Sequence, residues 1–153
     1  MKISAIILSA GNSTRYLSSK PKVFHELSGQ KLIDFNISLL NKYKEIKSCH
    51  IITNTALKEN FINLGYKNIS IQSPINGTGG AIAQFVSKNN IKADYYLICL
   101  GDTPIFNKKT IDALIKKTKN QKLDINVLGQ NLDNPFGYGR LIIENKNLKA
   151  IVE

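Results

Sequence analysis

The sequence predicts an α/β fold, one open and mostly parallel sheet with helices on both faces, and three observations predict it. Short β-branched apolar runs alternate with segments of helical spacing along most of the 153 residues. The strand-like runs give way to polar or glycine-bearing turns, the form taken by strand-to-helix loops in α/β sheets. No linker, repeat or low-complexity stretch interrupts the alternation, so a single domain over residues 1–153 is expected.

In chain order, Ile3 to Leu8 is a short buried strand that runs into Ser9-Ala10-Gly11-Asn12-Ser13-Thr14-Arg15. Leu32 to Leu40 places apolar residues at 32, 33, 37 and 40, which is helical. Ser48 to Thr53 reads as a second strand, and Leu57 to Leu64 as a helix closed by Gly65. A brief strand over Ile69 to Gln72 precedes a loop, Pro74 to Gly80, and a helix from Ala81 to Ser87. Tyr95 to Leu100 is apolar almost throughout, the pattern of a central parallel strand buried on both faces. A helix over Thr110 to Lys119 and a fifth strand over Ile125 to Leu128 follow. Leu141 to Ile143 and Leu148 to Val152 pair as a hairpin across Glu144-Asn145-Lys146-Asn147.

Four segments carry chemistry, each at the carboxyl end of a strand or in the closing region. The Ala10-Gly11 loop exposes backbone N–H groups, to which Arg15 adds a planar fork and Lys22 a mobile ammonium. That combination suits a polyanion such as a nucleoside triphosphate. Asp102, in Leu100-Gly101-Asp102-Thr103-Pro104, is placed to hold Mg²⁺, which takes one or two carboxylates together with phosphate oxygens and water. Gln72 and Thr78, with glycines at 77, 79 and 80, can approach and hydrogen-bond a flat base. Asn134-Pro135-Phe136-Gly137-Tyr138-Gly139-Arg140 is turn-rich and can wall a pocket. Read singly, each has a plainer account: a solvated turn, an Asx-turn at Asp102, a helix cap at Asn76 or Thr78, a loop before a hairpin.

The formal charge of +10 raises nucleic-acid binding, but 19 of the 21 basic residues are lysines scattered over helix faces. A solvated basic surface that gathers phosphate-bearing substrates is the expectation. A nucleic-acid face would instead show affinity falling steeply with salt and indifferent to UTP. Cys49 and Cys99 stand far apart and are expected as free thiols in the cytoplasm. The N-terminal apolar run is too short for a signal peptide, and no run reaches transmembrane length. His25 and His50 have no metal-ligand spacing and read as structural.

Taken together and in this order, the segments resemble the bacterial N-acetylglucosamine-1-phosphate uridyltransferase family. The matching text is Leu8-Ser9-Ala10-Gly11 with Thr14-Arg15, Pro21-Lys22-Val23-Phe24-His25, Gly77-Thr78-Gly79, Gly101-Asp102-Thr103-Pro104, Gly137-Tyr138-Gly139-Arg140 and Ile151-Val152-Glu153. The resemblance implies a Rossmann-like nucleotidyltransferase fold that transfers a uridylyl group from UTP to N-acetylglucosamine 1-phosphate, with Mg²⁺. It implies that Leu8, Ala10 and Gly11 hold the nucleotide, Arg15 stabilises pyrophosphate and Lys22 contacts phosphate. Gln72, Gly77 and Thr78 then read uracil, Asp102 holds the metal, and Gly139 and Glu153 bind the amino sugar. Two departures stand out: Ser13 replaces a frequent second glycine, and Ile75 a frequent second base-contacting glutamine.

By the same resemblance the chain matches the N-terminal two-thirds of the family's transferase domain. A further metal ligand, a sugar-contacting Asn and the β-helix acetyltransferase domain lie beyond it, so association with further chain or with copies of itself is expected. Little transfer by this chain alone is expected as well. The alternatives are a nucleotide-binding domain without turnover, or transfer to another sugar or alditol phosphate or from another base.

Overall fold

The first apolar run forms β1, Ile3–Ser9, and it is buried along nearly its whole length. The computed structural model describes residues 1–11, 18–105, 107–145 and 147–152. By contacts the chain forms two compact units, Met1–Lys108 and Lys109–Glu153.

In the first unit β1 is followed by a 3₁₀ turn, Lys22–Phe24, and a ribbon of β2 (Glu26–Leu27) and β3 (Gln30–Lys31). Ser28 and Gly29, both at positive φ, make the two-residue turn of that ribbon, which the apolar pattern does not signal. Then come α1 (Leu32–Leu40), β4 (Ile46–Thr53), α2 (Thr55–Asn63), β5 (Ile69–Ile71), α3 (Gly77–Lys88) and β6 (Tyr95–Leu100). Strands β5-β4-β1-β6 form one sheet, and all its pairs are parallel. Ile6 and Ile52 pack on Ala81 and Phe85 of α3. Ala5, Ile7 and Ile51, on the opposite side of the pleat, are as fully buried. Helices on both faces are what the sequence predicted, and the fold class is borne out.

The chain runs outward from β1 to β4 and β5, then crosses back so that β6 lies on the other side of β1. The strand order therefore reverses between β1 and β6, at whose carboxyl ends Leu8 pairs with Leu100. Here the expectation for β6 is corrected. Among the described residues it is an end strand, with Ile98 and Leu100 more than two-fifths exposed, not a central strand buried on both faces. An apolar run reports a tendency to be buried; the crossover decides rank in the sheet. A second correction concerns the glycine segment. Helix α3 begins at Gly77, not Ala81, so Gly77 to Gly80 are its first turn and not a loop.

The second unit contains α4 from Lys109 onward (Lys108–Gln121 in full) and a hairpin of β7 (Arg140–Glu144) and β8 (Asn147–Val152). The hairpin is as predicted. The fifth strand is not: residues 125–128 are irregular and pair with no described strand, and Ile125 and Leu128 are largely exposed. A β-branched run without a ladder partner has no reason to stay extended. Asn126 instead ties this segment to α4, donating to the Leu114 carbonyl (3.2 Å) and to Thr118 Oγ1 (3.1 Å). No described helix is long and apolar enough to cross a membrane.

Cys49 and Cys99 are free thiols, as expected. Burial pushes them up to about 11 and about 12, Cys99 with a further push from Cys49. His50 lies beside the Phe85 ring at 5.1 Å, its Nε2 buried without a hydrogen-bond partner among the described residues. Burial lowers its pKa from 6.5. A depressed folded value means that stability is complete above the unfolded pKa and is lost as pH falls through the folded one. Thermal midpoints should therefore fall as pH drops below the ordinary histidine value, and His50→Leu should flatten that fall. Denaturation followed by circular dichroism checks it; an equal fall in both proteins assigns the acid sensitivity elsewhere.

Candidate functional site

Three strand ends and one helix start meet at the reversal point. They enclose a cleft of about 260 Å³ lined by residues that include Leu8, Ala10, Gly11, Lys22, Gln72, Gly77, Thr78 and Asp102. Those are the nucleotide-site and metal-site residues named from the sequence, apart from Arg15, which lies outside the described residues, as does Glu153. Gly139 precedes β7 in the second unit.

Lys22 reaches the cleft because its neighbours anchor it. Val23 and Phe24 are buried, and Phe24 packs on Phe61 (4.7 Å between ring centroids) and Tyr66 (6.5 Å). The 3₁₀ turn leaves the Lys22 ammonium 3.0 Å from Asp102 Oδ2, both side chains about one-third exposed. The other carboxylate oxygen accepts from the Thr103 hydroxyl at 3.3 Å. Asp102 thus pairs with a cation across the cleft and does not cap its own turn.

Gly101 lets this loop leave against β1. A Cβ there would lie 2.2 Å from Ser9 Oγ and 3.2 Å from the Leu8 carbonyl, and the Gly101 N–H donates to that carbonyl at 2.8 Å. Asn36, fully buried in α1, holds the rest of the loop. Its Nδ2 donates to the carbonyls of Leu100 (2.9 Å) and Thr103 (3.1 Å), and its Oδ1 accepts from Ile105 N–H (2.8 Å). Sequence reasoning missed Asn36, though a polar residue on the apolar face of a predicted helix was the available signal. Asn54 is a second omission. It caps α2 by accepting from Leu57 N–H at 2.9 Å, and its Nδ2 donates to the Ala10 carbonyl at 2.9 Å, tethering the glycine loop.

The start of α3 is bare. Asn76 occupies the N-cap position without a side-chain capping bond, and no described residue lies within 4 Å of where a Cβ would stand on Gly77 or Gly79. A ligand can therefore approach this backbone closely. Gln72, only 3% exposed, donates through Nε2 to Asn76 Oδ1 (3.0 Å) and to the Gly77 carbonyl (2.9 Å). His25 is structural, as expected: its Nε2 meets the Lys20 carbonyl at 3.0 Å and Ser18 Oγ at 3.1 Å. In the second unit Arg140 donates to the carbonyls of Pro135 and Tyr138, bracing a turn that has Gly137 at positive φ.

Comparison with known proteins gives the family and the fold. Residues 5–145 match the family model described as a MobA-like NTP transferase domain. The bifunctional protein GlmU of Alkaliphilus metalliredigens is 34% identical over 157 residues, covering 100% of this chain and 34% of that protein. GlmU of Vesicomyosocius okutanii is 36% identical over 167 residues, covering 99% of this chain and 33% of its own length. The chain thus spans about one third of the length of these relatives, and the resemblance drawn from the motifs holds end to end. A Bacillus anthracis structure described as a glucose-1-phosphate thymidylyltransferase superimposes with a TM-score of 0.82. It is 22% identical, over 99% of this chain and 64% of that one, and shares the fold.

Proposed function

The chain belongs to the MobA-like NTP transferase family, and on that premise we propose that it transfers a uridylyl group from UTP to N-acetylglucosamine 1-phosphate. The observation that carries the proposal is the meeting of the Ala10-Gly11 loop, Lys22, Asp102 and the bare start of α3 around one cleft. A phosphate oxygen of the sugar 1-phosphate attacks the α-phosphorus of UTP in line. The new P–O bond forms as the bond from the α-phosphorus to the α,β-bridging oxygen of UTP breaks, and pyrophosphate leaves with that electron pair on what becomes its terminal oxygen. Little covalent chemistry falls to the protein; its work is positioning and neutralising charge.

Lys22 is the phosphate contact, and a triphosphate competes with Asp102 for its ammonium. Gly11 and Gly77 allow the ligand close to backbone N–H groups. Arg15 has its role on pyrophosphate, and Gly139 and Glu153 theirs on the sugar, from the family resemblance. The donor set suits Mg²⁺ in one particular way. Among the described residues no three His, Cys, Asp or Glu side chains cluster, so Asp102 would hold an ion that completes its shell with phosphate oxygens and water. When bound, Mg²⁺ supplies neutralisation of the phosphate charge.

Titration of the chain with UTP and Mg²⁺, together with pyrophosphate release on adding the sugar phosphate, tests this reading. Asp102→Asn is expected to remove the gain that Mg²⁺ brings to UTP binding, about tenfold or more, without lowering the thermal midpoint appreciably. An undiminished Mg²⁺ gain would overturn the metal role of Asp102. Little pyrophosphate release by this chain alone is the expected result, and failure to bind UTP with Mg²⁺ would overturn the reading.

A further inference from the structure

Ser73 and Pro74, two backbone neighbours of Gln72, decide which way its side-chain amide points. The Ser73 N–H can only donate and the Pro74 carbonyl can only accept. Gln84 bridges them and so has one arrangement: Oε1 accepts from Ser73 N–H (3.0 Å) and Nε2 donates to Pro74 (3.1 Å). The second hydrogen of Gln84 Nε2 meets Asn76 at 3.3 Å, which must therefore present Oδ1. That same oxygen faces Gln72 at 3.0 Å and demands Nε2, a demand repeated by the Gly77 carbonyl at 2.9 Å. Both hydrogens of the Gln72 amide are then committed inward. Its Oε1, with no partner among the described residues, is the polar atom that Gln72 can offer to the cleft it lines.

From this network we infer that Asn76 is a positioning residue that, through Gln72, sets the class of base the cleft accepts. The inference rests on the nucleotide reading proposed above and adds its specificity device. An acceptor pairs with a base edge that carries a ring N–H, as uracil does, and opposes the bare ring nitrogen of cytosine at the same place. A buried polar group left unpaired by the wrong ligand is an effective means of rejection. Two features show how Asn76 is reserved for this work. It gives no capping bond to α3, the usual use of an Asn at that position. Gly80 leaves it room, since a Cβ there would stand 1.9 Å from Asn76 Oδ1.

Calorimetric titration of the full chain with UTP and with CTP, each with Mg²⁺, tests the inference. The unaltered chain should prefer UTP by at least about tenfold. Asn76→Leu removes one of the two acceptors that fix the Gln72 amide and leaves the Gly77 carbonyl to hold it alone, so the preference should fall by about tenfold, mainly through tighter binding of CTP. Gly80→Ala displaces the Asn76 side chain from the other direction and should do the same. Asn76→Asp keeps an acceptor oxygen in place and should retain the preference. Melting curves accompany each titration; if one of the first two variants fails to fold, the ratio in the other decides. Failure of the unaltered chain to bind either nucleotide would overturn the nucleotide reading itself. UTP binding with a preference untouched by Asn76→Leu and Gly80→Ala would overturn the role of Asn76 alone.

Discussion

Lys22→Ala should weaken binding of UTP with Mg²⁺ by roughly tenfold to a hundredfold, whereas Lys117→Ala should leave it within about twofold. A hydrogen bond to a charged group contributes about 1.5–3 kcal/mol, and 1.4 kcal/mol is a factor of ten. Lys22 is held over the cleft by the buried Val23 and Phe24, 3.0 Å from Asp102. Lys117 is exposed on α4 among other lysines, and one charge there changes only the diffuse field. Stability should barely change in Lys22→Ala, because an ion pair this open to solvent contributes about 0–1 kcal/mol. Calorimetry of both variants separates the cases, and equal losses would remove Lys22 from the phosphate site.

Asn36→Leu should strongly destabilise the first unit. It leaves three part-buried backbone groups, the carbonyls of Leu100 and Thr103 and the Ile105 N–H, without their partner. An unsatisfied buried group costs about 1–3 kcal/mol, so a loss of about 3 kcal/mol overall is expected. For a unit of this size that lowers the thermal midpoint by about 10–20 °C. The loop that carries Asp102 loosens with it, so any residual UTP binding should gain less from Mg²⁺ than in the unaltered chain. A midpoint within about 2 °C of the unaltered chain would show that water satisfies the loop as well as Asn36 does.

The chemistry-bearing residues were legible because their signals are local. Gly11, Gly77 and Gly101 each stand where a strand gives way to a loop or helix start, and Lys22 and Asp102 sit in turns beside buried runs. Their assembly was legible only as a rule, that ligands bind at the carboxyl ends of parallel strands. The supporting residues were not. Asn36 and Asn54 look like ordinary helix and cap residues until the carbonyls they bond are known, and in Asn36 those carbonyls belong to residues 64 and 67 positions away. Gln72 could be named as a base contact, but the polarity of its amide depends on Gln84, twelve positions along and within α3.

By itself the sequence determined the alternation of strands and helices, the places where strands break into glycine turns, and the closing hairpin. Apolar period, β-branching and turn chemistry are properties of a few neighbouring residues and survive without knowledge of the rest. Only the tertiary structure decided that β6 has a strand neighbour on one side alone among the described residues, that residues 125–128 form no strand, and that Lys22 faces Asp102 across 80 residues of chain. Partner choice in a sheet and across a cleft is non-local. A run of apolar residues carries the same pattern whether it has two neighbours, one or none, and the crossover connections determine which of these it meets.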